Sequence, residues 1–263
     1  MSPDRAIETI TDALKTDDRI RGLFLSGSHA TGLDDAWSDI DFLLVSPEAT
    51  EVAAGLFIDA AGRTGEIVLC RDRIVRPALV NLVTTEGLRL DAIILKPDQM
   101  GGHSQATLKP LFDRDGLYDA LPEQSASTAT PPARLRYQFE EFIRILGLLP
   151  VAAGREEYLN GVTGVFHLRN LLVDLLVEET AAPYRGGALH LNRLITGEQK
   201  ALLASLPLPA PNRQAMIDAH LAYARAYLPR ARRLAQARGV DWPERFESAT
   251  WDLLRTTLNI ALE

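Results

Sequence analysis

The sequence predicts an α+β protein in two parts: a mixed sheet with flanking helices over residues 1–122, then an all-α helical bundle over 133–263. Three observations carry this expectation. Apolar runs of strand length (Ile20–Leu25, Asp39–Val45, Leu79–Thr84, Leu88–Leu95) fill the first part, with helical patterns between some of them. After Pro132 every long apolar pattern has helical spacing. Between the two, Glu123–Pro132 has no apolar anchor and ends in a double proline, so the linker is placed at 123–132.

In chain order, Asp4 is a candidate cap for a helix with Ile7, Ile10 and Leu14 on one face. The strand Ile20–Leu25 runs into Ser26-Gly27-Ser28, a tight-turn signature. Ten residues later Ser38-Asp39-Ile40-Asp41-Phe42 opens a second strand. Strand residues alternate faces, so Asp39 and Asp41 point one way and Ile40, Phe42 and Leu44 the other. Their Cα atoms then lie roughly 6.5–7 Å apart, close enough for both carboxylates to converge on one or two divalent ions. Burying two such acids without a cation is costly, which makes a metal–phosphate chemistry the natural reading.

Pro47 suits the first turn of a helix reaching Ala61, with Val52, Leu56 and Ala60 on one face and Gly62 as its stop. Glu66–Cys70 is a short strand. Arg71, Arg73 and Arg76 surround Asp72, a basic turn that is either solvated or a phosphate clamp. Thr85-Glu86-Gly87 joins the next two strands as a hairpin. The second of them places Arg89, Asp91, Ile93 and Leu95 on one face, which makes Asp91 a lone acid in a run otherwise expected to be buried. It either pairs with Arg89 on an exposed face or, if its strand neighbours Asp39–Asp41, completes a three-carboxylate site.

In the second part, Leu135, Phe139, Phe142, Leu146 and Leu149 form an apolar stripe. Arg155–Glu179 reads as a long central helix of the bundle. Its polar residues Glu156, Asn160, Thr163, His167, Asn170 and Asp174 recur at helical spacing in one stripe, either a solvated face or the wall of an acceptor pocket. A loop at Pro183–Gly187, helices over Leu189–Leu206 and Asn212–Ala237, and a last amphipathic helix after Trp242-Pro243 complete the chain. Arginines gather at the C-terminal end of the Asn212–Ala237 helix, where a helix dipole favours cations.

The chain has 263 residues, 46% of them hydrophobic and 24% charged, with a net charge of −7. That charge disfavours nucleic acid as a partner, whose phosphates demand a basic surface, and favours a cationic small molecule. One cysteine, Cys70, excludes an intramolecular disulfide and fits a reducing cytoplasm. No apolar segment is long enough for a membrane span.

The combination of Leu23-Phe24-Leu25-Ser26-Gly27-Ser28, ten residues, and Asp39-Ile40-Asp41 opening an apolar strand resembles the nucleotidyltransferase superfamily that includes DNA polymerase β. It is most similar to the small antibiotic-modifying members. Asn81–Asp91 looks like the hairpin that delivers the third carboxylate in aminoglycoside 6-adenylyltransferases, and Leu111–Gly116 like a turn of that family. The helical half is similar in kind to theirs and to that of lincosamide nucleotidyltransferases. The resemblance implies a five-stranded mixed sheet, ATP as co-substrate and Mg²⁺. It gives Asp39 and Asp41 to the metal ions and Asp91 to base catalysis, to a second ion, or to both. Gly27 and Ser28 would cradle the β/γ-phosphates, with Lys109 as a candidate cation, since His29 stands where many relatives carry a basic residue. The implied reaction is transfer of AMP to a hydroxyl of a small, cationic, antibiotic-like acceptor, with pyrophosphate released. The alternative is a regulatory nucleotidyltransferase acting on protein or RNA, or a nucleotide-binding module without turnover.

Overall fold

The alternating run after Asp39 forms the sheet strand that organises the N-terminal half in the computed structural model, which describes residues 1–73, 78–124, 129–181 and 190–260. Arg76, residues 125–128 of the expected linker and the expected loop Pro183–Gly187 lie outside the described residues. The chain divides into two compact units, Met1–Ala126 and Ser127–Glu263.

Within the first unit the elements run α1 (Pro3–Lys15), β1 (Gly22–Leu25), α2 (Gly27–Thr31), β2 (Ile40–Val45), α3 (Thr50–Ala61), β3 (Ile67–Arg73), β4 (Ala78–Thr84), β5 (Arg89–Leu95) and β6 (Lys109–Asp113). The sheet order is β3-β4-β5-β2-β1-β6. Only the β2–β5 pair is parallel; the other four are antiparallel. The sheet is therefore mixed, with six strands where five were expected. The extra one is β6, whose Lys109–Asp113 stretch pairs along the outer edge of β1.

The two faces of β2 carry different loads. Ile40, Phe42 and Leu44 pack with Leu23, Leu25, Leu90, Ala92 and Ile94 beneath α1 and α3, all buried. On the opposite face Leu43 and Val45 join Phe24, Leu95, Met100, Leu108 and Leu121 in a second, smaller cluster. The unbroken apolar run Phe42–Val45 is what gives β2 two buried faces, since successive side chains go to opposite sides of the sheet. Asp41 lies on the second face, two residues before Leu43.

Local departures from the sequence reading have simple causes. Ser2, not Asp4, caps α1: its Oγ accepts from the Arg5 N–H, and Pro3 takes the first helical position. Ser26-Gly27-Ser28 is the entry to the short helix α2 rather than a bare turn. The helix expected from Pro47 starts at Thr50, and its buried face is Ala53, Ala54, Phe57, Ala60 and Ala61, leaving Val52 exposed. Small side chains let α3 approach the sheet closely, so alanines rather than the branched residues fill the contact.

The second unit is helical: α4 (Pro132–Leu146), α5 (Leu149–Gly154), α6 (Tyr158–Thr180), α7 (Leu191–Leu194), α8 (Gly197–Ser205), α9 (Arg213–Ala237) and α10 (Glu244–Leu258). Its core joins Leu135, Phe139, Phe142 and Leu146 of α4 to Val165, Leu168 and Leu172 of α6 and to Tyr223 and Tyr227 of α9. Phe142 and Tyr227 stack with ring centroids 3.8 Å apart. The helix expected over Arg155–Glu179 begins later, at Tyr158, because Glu156 takes a left-handed φ of 56°. The arginines of α9 answer carboxylates rather than the helix end: Arg230 pairs with Glu179 and Arg232 with Glu247, and Arg238, just past the helix, pairs with buried Glu178. Among the described residues no helix is long and apolar enough to cross a membrane.

Candidate active site

Parallel pairing of β2 with β5 puts Asp41 directly opposite Asp91. In the same register Leu43 faces Ile93 and Val45 faces Leu95. One face of the two central strands thus changes from carboxylate to hydrocarbon two residues along. Asp39 precedes β2 and joins the pair: one oxygen from each of Asp39, Asp41 and Asp91 lies within 4.8 Å of the others, and all three residues are half-buried.

The approach to Asp39 is tied down by its own loop. Asp35 Oδ1 accepts from the Trp37 N–H at 2.9 Å, Ser38 Oγ accepts from the Asp35 N–H at 3.0 Å, and the Ser38 N–H donates to the Asp35 carbonyl at 3.1 Å. Arg89 Nη2 donates to the Trp37 carbonyl at 2.8 Å, so the exposed-pair reading of Asp91 with Arg89 gives way to an arginine that braces the Asp39 loop. Arg89 was legible as a charged residue two places before Asp91. Its tether to Trp37, 52 residues away, was not.

The Gly-Ser element meets the acids from the other side. The Ser26 N–H donates to the Asp41 carbonyl at 2.8 Å. Gly27 has a φ of +58°, and a Cβ built on it would lie 2.0 Å from Asp41 Oδ2. A side chain at residue 27 and the Asp41 carboxylate therefore cannot both keep their places. Ser28 is 5% exposed, and its hydroxyl makes no hydrogen bond among the described residues. His29 follows with its Nε2 buried and unpartnered and its Nδ1 3.6 Å from Asp34.

Not every expected residue gathers there. Lys109 is exposed at the start of β6 and pairs with Leu25, whose side chain belongs to the α1–α3 side of the sheet, the face opposite Asp41. Arg71 and Arg73 lie exposed on edge strand β3, with β4 and β5 between them and β2. The helical stripe of Glu156, Asn160, Thr163, His167, Asn170 and Asp174 is exposed throughout.

Burial and charge crowding together set the protonation of Asp41. Burial, then the neighbouring Asp39 and Asp91 carboxylates, push Asp41 up to about 6, against a smaller opposing pull from Arg89. Three oxygen donors with no nitrogen or sulfur, repelling one another at short range, fit a hard divalent cation such as Mg²⁺. The sign of the pH effect follows. A carboxyl whose folded value is raised stabilises the fold below its ordinary value of 3.8 and loses that contribution as pH climbs through about 6. Metal-free protein is therefore expected to melt at a falling temperature between pH 4 and pH 7 on this account, by an amount of the order of 1–2 kcal/mol after solvent screening at a half-buried site. Mg²⁺ should restore the loss more fully at pH 8 than at pH 5, where protons compete for Asp41. Thermal melts in EDTA and in Mg²⁺ across that range read both effects; a metal shift independent of pH would contradict the assignment.

The mixed sheet thus brings together Asp41 and Asp91 from two adjacent parallel strands and Asp39 from the loop before β2, with the Gly-Ser entry packed against Asp41. Residues 7–94, about a third of the chain, match the family described as "Nucleotidyltransferase domain". Among solved structures, the chain is similar to an aminoglycoside 6-adenyltransferase from Bacillus subtilis, at 13% identity over 96% of this chain and 97% of that one, with a TM-score of 0.43. A nucleotidyltransferase-like protein from Exiguobacterium sibiricum shares 13% identity over 98% and 89% of the two chains, with a TM-score of 0.39. A spectinomycin adenyltransferase from Enterococcus faecialis, solved with ATP and spectinomycin, shares 11% over 86% and 99%, also with a TM-score of 0.39. Identities and scores this low say nothing of substrate. No curated protein matches the chain.

Proposed function

We propose that the chain is a Mg²⁺-dependent adenylyltransferase that moves AMP from ATP to a hydroxyl of a small, cationic acceptor. The observation that carries the reading is the convergence of the Asp39, Asp41 and Asp91 oxygens within 4.8 Å. Asp39 and Asp41 would hold the metal, with Asp91 completing the ligand set. When bound, Mg²⁺ neutralises triphosphate charge and polarises the α-phosphate. The remaining work falls to the chain. The free Ser28 hydroxyl and the backbone N–H groups around Gly27 bind the β/γ-phosphates. Lys109 supplies a cation to them if its flexible stem wraps the end of β1. Asp91 accepts the proton of the acceptor hydroxyl as that oxygen attacks the α-phosphorus in line. The new P–O bond forms as the bond to the bridging oxygen breaks, and pyrophosphate departs with the electron pair.

A cationic acceptor suits a chain with 35 acidic and 28 basic residues. The exposed free thiol of Cys70 suits the cytoplasm. We take the helical unit as a separate domain, beginning close to the double proline that starts α4.

The test is pyrophosphate release from ATP and Mg²⁺ in the presence of a panel of aminoglycosides and lincosamides. At least one is expected to drive turnover and to gain the mass of AMP. Asp91→Asn should then cut the rate by about 10²–10⁴-fold, the usual contribution of a positioned base, while ATP still binds. No release with any small molecule, together with labelling of a protein, would replace this reading with the regulatory one.

A further inference from the structure

A pocket of about 280 Å³ opens in the helical unit, lined in part by the polar stripe of α6. Its floor is built by two glycines of α6. A Cβ on Gly161 would lie 2.0 Å from Met216 Sδ, and one on Gly164 would lie 3.2 Å from His220 Nε2. These positions let α9 seat Met216 and His220, one helical turn apart, directly on the α6 backbone. His220 is 3% exposed yet lines the pocket. Its Nδ1 lies 2.8 Å from the Met216 carbonyl. A carbonyl only accepts, so Nδ1 carries the proton and Nε2 is left as a bare acceptor. Nε2 has no hydrogen-bond partner among the described residues, and burial lowers the affinity of the ring for a second proton.

Around this acceptor the pocket is half polar and half apolar. Asn160, Thr163 and His167, three members of the helical polar stripe, stand on one side. Leu148, Leu149 and Ala152 form the other. At the rim Glu141 is forked by Arg144 at 2.6 and 2.7 Å, so its charge is matched and no bare anion demands a cation. An unpartnered lone pair of a buried ring, beside hydroxyl and amide groups and backed by an aliphatic wall, is the wrong environment for an anion or a hydrocarbon. It suits a ring that offers O–H or N–H donors on one edge and C–H on its face.

We propose that the helical unit binds a small hydroxylated or amino-substituted ring in the pocket over Gly161 and Gly164, with His220 Nε2 accepting a hydrogen bond from it. The stripe of α6 thus has two uses: its first half lines a binding site and its second half, Asn170 and Asp174, is solvated surface. This goes beyond the transfer reaction and is read from binding alone, so it stands even if no nucleotide is ever transferred.

The experiment follows histidine ring nitrogens by NMR in the full-length ¹⁵N-histidine protein while myo-inositol, glucosamine or 1,4-dioxane is added. Inositol or glucosamine is expected to move the His220 Nε2 resonance saturably and to leave His103, in the N-terminal unit, unmoved. Dioxane, a ring of similar size with no donor, should move neither. By calorimetry, His220→Phe should weaken the binding about tenfold, the loss of one buried hydrogen bond. Gly164→Ala should do the same by crowding Nε2 while retaining the histidine. If neither inositol nor glucosamine moves the resonance, or if dioxane binds equally well, the site is not of this kind. Should His220→Phe fail to fold, the wild-type titration and Gly164→Ala still decide.

Discussion

Asp41→Asn is expected to reduce nucleotidyl transfer by about three orders of magnitude or more, a loss near 4 kcal/mol of transition-state stabilisation. The same substitution is expected to raise the melting temperature of the metal-free protein at pH 8. The two effects have one source. Asp41 is pushed up to about 6 by burial and by Asp39 and Asp91, so at pH 8 its charge is held in place against repulsion. Asparagine keeps the shape and the backbone carbonyl that accepts from the Ser26 N–H, but removes the charge. The apo fold gains what burying the charge, and then the repulsion, had cost, a few degrees in a unit of this size. The Mg²⁺-dependent rise in melting temperature expected of the native protein should largely vanish. A variant that loses activity without gaining apo stability would show that Asp41 acts by something other than shared charge with its neighbours. Retained activity would remove the metal assignment altogether.

How far this site could be read from the sequence depends on which residues carry it. Asp39 and Asp41 were legible because strand alternation alone fixes their common face, whatever the sheet order. Asp91 was legible only conditionally: an acid in an apolar run needs a reason, but its strand had to lie beside β2. The parallel β2–β5 pairing that supplies that condition joins residues 50 apart in sequence, and no local signal encodes it. The sixth strand was legible only as an extended piece leading into a turn over Leu108–Gly116, not as a member of the sheet. Lys109–Asp113 contains Pro110 and sits at an edge, where one side of the backbone needs no partner, so its pattern is weak. The arginines of α9 show a third kind of failure. A helix-dipole argument sees only the helix itself, whereas Glu178, Glu179 and Glu247 reach them from α6 and α10. In the polar stripe of α6, helical spacing identified the residues correctly but carried no information about which turn would be hollowed by Gly161 and Gly164.

Gly27→Ala is expected to cripple the enzyme, by about a hundredfold or more, and Gly32→Ala to leave it working. Both glycines have left-handed backbones, with φ of +58° and +68°. An alanine at either position costs roughly 1–2 kcal/mol of stability from backbone strain. Their surroundings differ. A Cβ on Gly32 meets nothing within 4 Å, while one on Gly27 lies 2.0 Å from Asp41 Oδ2. At residue 32 the strain is therefore the whole effect. At residue 27 the carboxylate must swing away or the Ser26–Asp41 hydrogen bond must open, and either movement breaks up a trio that spans only 4.8 Å. The resemblance to nucleotidyltransferases explains this glycine by room for phosphate, and on that account alone Gly27→Ala would weaken ATP binding and spare the metal. The contact with Asp41 predicts otherwise: Mg²⁺ affinity, measured without nucleotide by the shift in melting temperature, should fall in Gly27→Ala and stay unchanged in Gly32→Ala. If both variants bind Mg²⁺ like the native protein and differ only toward ATP, the glycine serves the phosphates. If Gly27→Ala alone loses the metal, the Gly-Ser turn and the acidic strand are one device, in which the absence of a side chain at residue 27 sets where the carboxylate at residue 41 can stand.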